Sequence, residues 1–369
     1  MTRRDWLTGT GALLASACGR PKGRGYDGYA LVATSGDESL GVVDLTAFRL
    51  VKHIPLGASP TAVTGSSDEA FSYVATSSTG TIHELNRELA QVSSRRVARD
   101  VSAIRATPDG KRLIAVSQSS RELIELETPS LRVVRRQTLD ARPLGLDVAL
   151  NRYVAVSTER GGVQLFDLET GHHSRANVDA LLGAVRFRRD GAVLLVANFR
   201  GRSLTVLDIP GLNVMADLPL AMQPENLCFN ADGGQLFISG AGMDGVGIVF
   251  PYTLEVDETL LAGRSPGTLA CSERPPYLFV GSRNASDVLI LDISTRRMIG
   301  LVEVGDVPGR MAITPDSQYA LVLSERSGNM AVIHIPAIKG NRMKSGAALF
   351  TMIPVGDKPV DAAIVAREA

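Results

Sequence analysis

Residues 152–171 read RYVAVSTERGGVQLFDLETG, and this stretch decides the fold class. It contains an apolar strand, a polar loop, a second apolar strand that ends in Asp167, and a turn. Short runs of Val, Ile and Leu between Gly and acidic residues are typical of β-strands joined by tight turns. Similar segments recur along the chain, so the sequence predicts an all-β protein built from a repeated unit.

The repeat has a period of 40 to 42 residues and three markers. The first strand of each copy ends at Ser35, Ser77, Ser117, Ser157, Asn198, Gly240, Ser282 or Ser324. The second strand ends in an acid at Asp44, Glu84, Glu125, Asp167, Asp208 and Asp292, which Phe250 and His334 replace in two copies. The turn before the first strand carries Asp68, Asp109, Asp190, Asp232 or Asp316. We interpret these acids as turn residues that accept local backbone hydrogen bonds, not as catalytic groups.

A period of about 40 residues with four short strands predicts a β-propeller blade, because one such sheet buries both faces only when neighbours stack on it. In residues 144–178, LGLDVAL is the predicted inner strand, RYVAVS the second, GVQLFDL the third and HHSRANV the outer edge. PVDAAIVA at 359–366 is an inner strand with no blade after it, so we expect it to complete the first blade. The sequence predicts eight blades, or seven if one copy is degenerate. The sixth copy, with GIVFPYTLE, departs most from the pattern.

The first 18 residues follow the pattern of an export signal. Arg3 and Arg4 form a basic start, a short apolar region follows, and Ala15-Ser16-Ala17 offers a cleavage site. Residues 2–7, TRRDWL, resemble the twin-arginine motif, and Ala15-Ser16-Ala17-Cys18 resembles a lipobox in which Cys18 would be acylated. Lipidation at Cys18 and simple signal cleavage both remain open. We expect a periplasmic or other extracytoplasmic location, a flexible tether over 19–28 and a single propeller domain over 29–369.

Composition excludes several classes of function. The chain has 39 basic and 39 acidic residues without a long run of either sign, so no nucleic-acid or anionic-membrane surface is expected. Trp6, the only tryptophan, leaves with the signal. The five histidines fall in third strands, outer strands or the turn between them, with His172 and His173 in an exposed turn. We therefore expect no cofactor and no metal site.

The cysteine spacing leads to a further expectation. An offset of 42 residues aligns Cys228 with Ala270, so Cys228 and Cys271 lie one register apart. Because successive side chains of a strand point to opposite faces, the two thiols should face opposite sides of their sheets. We expect both cysteines to be buried and free.

The second strands Tyr73-Val74-Ala75-Thr76 and Tyr153-Val154-Ala155-Val156, with the PDG turns and acid-ended strands, resemble the YVTN-type β-propeller repeat family. The resemblance covers residues 29–366. It implies a bacterial or archaeal surface or periplasmic protein. Related propellers include sugar lactonases and the haem-binding propeller of nitrite reductases, so the resemblance implies a fold and leaves the activity open.

Propellers usually bind ligands at a mouth of the central channel. One inner-strand position near this mouth is occupied in successive copies by Ala62, Ala103, Gly145, Ala184, Asn226, Thr268, Arg310 and Asp361. The last four form a polar arc, which Glu225 extends. Arg310 and Asp361 either contribute to a ligand site or form a buried ion pair with each other. The loops between second and third strands add Asp37, Arg160, Arg200, Arg283, Asn284, Glu325 and Arg326.

Two functions remain. The first is a monomeric, non-enzymatic scaffold that binds a protein or a small anionic ligand at the mouth, where arginines such as Arg200, Arg283 and Arg326 can hold a carboxylate or phosphate. The second is an enzyme that resembles propeller lactonases or tetrapyrrole-modifying propellers. In that enzyme Glu225 would be the acid, Arg310 the anion clamp and Asp361 the base. The first is favoured because it requires no special residues.

Overall fold

The computed structural model describes residues 25–66, 70–150, 152–178, 181–339 and 348–367. Their strands form eight antiparallel sheets, and a single 3-10 turn, Ile335–Ala337, is the only helical element in these ranges. Within the same ranges, no helix has the length and apolar character needed to cross a membrane. The all-β prediction and the count of eight blades are confirmed.

We number the blades in chain order and give their strands from the channel outwards. Blade 1 consists of Pro359–Ala366, Gly28–Thr34, Ser39–Asp44 and Arg49–Pro55, and blade 2 of Pro60–Gly65, Phe71–Thr76, Thr81–Asn86 and Gln91–Arg96. Blade 3 consists of Ala103–Ala106, Arg112–Ser117, Glu122–Glu127 and Arg132–Thr138, and blade 4 of Pro143–Val148, Tyr153–Thr158, Gly162–Asp167 and His173–Asn177. Blade 5 consists of Leu182–Phe187, Val193–Asn198, Ser203–Asp208 and Val214–Pro219, and blade 6 of Gln223–Phe229, Leu236–Ala241, Gly245–Phe250 and the broken outer strand Glu255–Val256 with Leu260–Leu261. Blade 7 consists of Pro266–Cys271, Tyr277–Ser282, Asp287–Asp292 and Arg297–Glu303, and blade 8 of Pro308–Ile313, Tyr319–Ser324, Asn329–His334 and Leu349–Pro354. The broken outer strand of blade 6 agrees with the irregular sixth copy of the repeat.

The last strand closes the ring as expected. Pro359–Ala366 pairs antiparallel with Gly28–Thr34, and Tyr29 lies opposite Val365. The first strand begins at Gly28, one residue earlier than expected, where it pairs with Ala366. Each inner strand also contacts the inner strand of the next blade, and the strand at 359–366 contacts those of blades 8 and 2. The inner strands therefore form an unbroken circle.

The core lies between the blades and not within them. Among the described residues there are eight apolar clusters, and each is formed by the facing surfaces of two neighbouring blades. Tyr73, Phe237 and Tyr319 are among the largest side chains that are fully buried in these clusters. Since each sheet supplies half of two clusters, no blade has a core of its own.

The turn acids have the structural role expected of them. The four that lie in described residues each accept a hydrogen bond from the backbone N–H two residues later, and Asp68 lies outside the described residues. These bonds join Asp109 to Lys111 at 3.1 Å, Asp190 to Ala192 at 3.0 Å, Asp232 to Gly234 at 2.7 Å and Asp316 to Gln318 at 3.1 Å.

The predicted alignment of two third strands was wrong by two residues. Tyr29 pairs with Asp44 at the end of its strand, but the equivalent pairs are Phe71 with Asn86 and Arg112 with Glu127. Glu84 and Glu125 therefore lie inside their strands, where both are buried. The sequence contains the signal: Asn86 and Glu127 follow Ser77 and Ser117 by 9 and 10 residues, as in the other copies, whereas Glu84 and Glu125 follow by only 7 and 8.

Candidate functional site

The inner strands place a first row of side chains around the channel, which we call the mouth row. It consists of Ala62, Ala103, Gly145, Ala184, Asn226, Thr268, Arg310 and Asp361. The polar members reach towards the next blade. The side-chain amide of Asn226 donates to Gly267 O at 3.1 Å, and the hydroxyl of Thr268 donates to Gly309 O at 2.5 Å. This part of the predicted polar arc holds neighbouring blades together.

A second row lies two residues further along each inner strand and faces the same way, because side chains at i and i+2 share a face. This deep row consists of Thr64, Arg105, Asp147, Arg186, Cys228, Ala270, Ala312 and Ala363. The two rows are complementary in size. Blades 3 to 5 have small residues in the mouth row above Arg105, Asp147 and Arg186, whereas blades 7, 8 and 1 have polar mouth residues above three alanines. Sequence reasoning missed the deep row because it compared one position per blade.

A cavity of about 570 Å³ opens where the mouth row is small, over blades 3 to 6. Leu144, Leu181 and Phe199 are among its apolar lining residues, and Arg105 and Arg186 of the deep row also line it. Glu225 is the one predicted site residue among the lining residues, which include none of Asn226, Thr268, Arg310 and Asp361. This opening therefore lies beside the small mouth-row residues Ala103, Gly145 and Ala184, and away from the predicted polar arc.

Arg105 is the least compensated charge in the channel. Its guanidinium donates to Ile104 O at 2.9 Å, and no carboxylate of the described residues lies within ion-pair distance. Burial lowers the pKa of Arg105, and the positive charges of Arg186 and Arg310 lower that pKa further, against the opposing effect of the channel carboxylates. A partly buried cation without a counter-ion is unfavourable, so this position favours an anion.

The other deep-row charges are paired loosely. Arg186 lies 3.8 Å from an oxygen of Asp147, and it donates to Val185 O at 2.9 Å. Asp147 accepts the N–H of Phe187 at 2.8 Å, and burial nevertheless raises the pKa of its carboxyl group. The three channel arginines therefore face only two aspartates of their own rows, Asp147 and Asp361.

The predicted mouth residues form two ion pairs. Glu225 pairs with Arg283, and Arg310 Nε lies 3.2 Å from an oxygen of Asp361. The other oxygen of Asp361 accepts the N–H of Val63 at 3.0 Å, so this carboxylate joins three blades. Both proposed acid–base groups are thus engaged with partners.

Two further arginines that were predicted as site residues lie at the surface. Arg200 and Arg326 are exposed on the loops of blades 5 and 8. Neither of them forms an ion pair with another residue in the described ranges.

The two cysteines meet across the interface between blades 6 and 7. Cys228 Sγ lies 3.5 Å from Cys271 Sγ. The predicted register was correct, and the two side chains do project from opposite faces of their own sheets. The two thiols therefore face each other, because opposite faces of adjacent blades form one interface. Both cysteines are free, as predicted, but the prediction that both are buried was wrong, since each is only partly shielded from solvent.

Four histidines lie in outer or third strands and His172 lies in the turn between them, as predicted, but the prediction that His173 also lies in an exposed turn was wrong. His172 is exposed, whereas His173 begins an outer strand and stacks on Phe166 with 4.6 Å between ring centroids. Its Nε2 lies 3.0 Å from Gln164 Oε1. In the part of the chain that the structure describes, no group of three or more His, Cys, Asp and Glu side chains is placed to hold a metal ion.

No protein-family model matches the chain, and no curated protein matches its sequence. Solved structures match over most of its length. A dihydro-heme d1 dehydrogenase, NirN, solved in complex with DHE, has a TM-score of 0.77 at 17% identity, over 95% of this chain and 78% of that chain. A functionally unknown protein from Desulfotomaculum acetoxidans DSM 771 has a TM-score of 0.61 at 12% identity, over 92% of this chain and 100% of that chain. Hydrazine synthase from Kuenenia stuttgartiensis has a TM-score of 0.59 at 17% identity, over 76% of this chain and 96% of that chain. Likeness at such identities shows a shared fold, and this chain is an eight-bladed β-propeller similar in fold to these proteins.

Proposed function

We propose that this protein is an exported binding protein that holds a small amphipathic organic anion in the cavity over blades 3 to 6. The observation that carries the proposal is the cavity itself, which combines apolar walls with a floor that contains Arg105. A carboxylate, sulfonate or phosphate at this floor would give Arg105 the counter-ion that the protein does not supply.

The walls support an elongated apolar ligand. Leu144 and Leu181 are 42% and 38% exposed although they are leucines at the channel, and Phe199 lies beside them. Covering such surface contributes about 25 cal/mol per Å² of apolar area. The ligand's apolar body would contact these side chains while its charged group lies between Arg105 and Arg186.

The carboxylates favour binding over catalysis. An acid–base mechanism needs a carboxyl group within reach of the reacting atom and free to exchange a proton with it. Glu225 is paired with Arg283, and Asp361 accepts from both Arg310 and the backbone of Val63. Both groups are engaged in holding the mouth together.

The test uses 8-anilinonaphthalene-1-sulfonate, a fluorescent amphipathic anion, with the purified full chain. Arg105→Gln removes a charge-assisted hydrogen bond, so we expect the Kd to rise about tenfold or more. Leu144→Asp places a negative charge on the wall and should weaken binding at least as much. Leu150→Asp is the matched control, since Leu150 is 66% exposed and does not line the cavity.

Wild-type protein and Leu150→Asp should bind the probe equally well, and circular dichroism should confirm that every variant is folded. An unchanged Kd in both Arg105→Gln and Leu144→Asp would overturn the proposal. So would the absence of probe binding by the wild type.

Export and membership of the YVTN-type repeat family are part of the same proposal. Residues 1–18 support export, although this segment, including Cys18, lies outside the described residues. The YVTN resemblance is supported by the second strands Phe71–Thr76 and Tyr153–Thr158 and by the PDG turn.

A second candidate is an enzyme that acts on a tetrapyrrole, and one observation favours it. The similar fold reported above belongs to a dihydro-heme d1 dehydrogenase solved in complex with DHE, and the match covers 95% of this chain. A carboxylated macrocycle is itself an amphipathic anion. Incubation with dihydro-heme d1 and ferricyanide separates the candidates. Displacement of the probe without product supports binding alone, whereas oxidation that is lost in Arg105→Gln supports the enzyme.

A further inference from the structure

The interface between blades 6 and 7 contains a dithiol. Leu227 packs with blade 5, so its neighbour Cys228 faces blade 7. Cys271 packs with the cluster shared by blades 6 and 7, so it faces blade 6. The two Sγ atoms are 3.5 Å apart, although the residues are 43 positions apart in the chain.

The two thiols differ in their surroundings. A hydrogen bond from the thiol of Cys271 lowers the pKa of Cys228 although partial desolvation raises it, and the positive charges of Arg186 and Arg310 lower that pKa further. The same pairing, together with burial, raises the pKa of Cys271. The two nearby arginines favour Cys228 as the attacking thiol and Cys271 as the resolving thiol.

We propose that Cys228 and Cys271 are a redox modification site, at which a small hydroperoxide converts the dithiol into an intramolecular disulfide. The Cys228 thiolate attacks one peroxide oxygen, the O–O bond breaks, and the leaving oxygen takes up a proton. For hydrogen peroxide this step yields a sulfenic acid and water. Cys271 then attacks the Cys228 sulfur, and the second oxygen leaves as water.

Atoms and electrons balance in the overall reaction of the two thiols with one hydroperoxide. Two thiols lose two protons and two electrons, and one hydroperoxide is reduced to two molecules of water, or to water and an alcohol. A reducing dithiol reverses the modification by thiol–disulfide exchange. The two sulfurs must approach by about 1.5 Å to reach a bonding distance of about 2.0 Å. Partial exposure of both residues gives a small peroxide access to them.

The disulfide would join two inner strands at the centre of the ring. It would also remove the ionisable thiol of Cys228, on which the positive charges of Arg186 and Arg310 act. The inference does not depend on the ligand proposed above, because it rests on the two sulfurs alone.

The experiment treats the reduced full chain with hydrogen peroxide, blocks the remaining thiols, and maps tryptic peptides by mass spectrometry. Cleavage after Arg264 places Cys228 and Cys271 in different peptides, so their disulfide appears as a linked pair of peptides. We expect this linked pair to form in the wild type and to disappear after treatment with dithiothreitol. Cys271→Ser should instead accumulate a sulfenic acid at residue 228 that dimedone traps.

The matched control moves one thiol by a single residue. Ala270 packs with the cluster between blades 7 and 8, so the double variant Cys271→Ala with Ala270→Cys keeps both thiols but turns the second one away. This variant should form no linked peptide, while its thermal unfolding should remain cooperative. Peroxide treatment that leaves both wild-type thiols alkylatable would overturn the proposal. Equal linkage in the control variant would overturn it as well.

Discussion

Asp100 shows how single residues fasten the mouth loops of this ring. It precedes the inner strand of blade 3, and it accepts hydrogen bonds from the hydroxyl of Ser117 at 2.6 Å and from the N–H groups of Gln118 and Ser119 at 3.0 and 3.1 Å. Burial alone would raise the pKa of Asp100, but these hydrogen bonds outweigh burial and lower the pKa below its ordinary value. One carboxylate thus ties the loop that enters the blade to the loop between its second and third strands.

The pH dependence of stability follows from this lowered pKa. A carboxyl group whose pKa is lower in the folded state stabilises the fold above the unfolded pKa of about 3.9, and this contribution is lost as the pH falls through the folded value. We expect Asp100→Asn to lower the free energy of unfolding by about 1–2 kcal/mol at pH 7. The difference from wild type should shrink below about pH 4. Urea unfolding across this range measures it.

Glu325→Gln is the control for this prediction, since Glu325 is exposed and has no ion pair among the described residues. It should track the wild type at every pH. A stability difference between Asp100→Asn and wild type that stays constant down to pH 3 would contradict the assigned role.

The closing strand is the most consequential element of the fold. Pro359–Ala366 pairs antiparallel with Gly28–Thr34 as the inner strand of blade 1. Its side chains pack in the apolar clusters on both faces of that blade. Beyond it, Arg367 forms an ion pair with Asp44 at 3.0 Å. Without this strand, blade 1 would lose its inner edge and two clusters would open to water.

Truncation tests this role of the element. A chain that ends at Asp357 should fail to unfold cooperatively and should bind hydrophobic dye along its opened clusters. A chain that ends at Arg367 keeps the strand and the Asp44 ion pair, so its thermal midpoint should match that of the full chain. Light scattering and calorimetry distinguish the two outcomes. Cooperative unfolding of the shorter chain at the wild-type midpoint would show that the ring does not depend on closure.

At the scale of the whole molecule, different parts of each blade have different structural roles. The acids of the turns accept backbone hydrogen bonds, and the faces between blades supply the core. The inner strands line the channel and contact one another around the ring. Large and small residues alternate between the mouth row and the deep row, so the channel is filled on one side and open on the other. The candidate site is therefore a consequence of uneven filling.

The destination of the whole molecule is a separate prediction. If residues 1–18 are a twin-arginine export signal, replacing Arg3 and Arg4 with lysine should leave most of the protein in the cytoplasm, because the export route reads the arginine pair. Fractionation with immunoblotting measures this outcome. Unchanged export of that variant would contradict the twin-arginine assignment. Incorporation of labelled palmitate that is lost in Cys18→Ser would choose lipidation over simple cleavage.

Much of the propeller architecture follows from local patterns that can be recognised in the amino-acid sequence. The period, the turn acids such as Asp190 and the unpartnered strand at 359–366 are determined by alternation and spacing along one chain, so the eight blades and the closure of the ring could be predicted. The placement of Glu84 and Glu125 at strand ends was wrong, although the sequence alone could have corrected it. Their spacing from the preceding strand is shorter than that of the strand-end residues in the other copies.

The sequence by itself determined the repeated sheet and its closed ring, because hydrophobic alternation and turn chemistry act between residues close in the chain. Only the tertiary structure decided where the cavity opens and that Cys228 meets Cys271. Both depend on which faces of neighbouring blades are turned towards each other. That relation joins residues about 40 positions apart, and it is set by the packing of one sheet on the next.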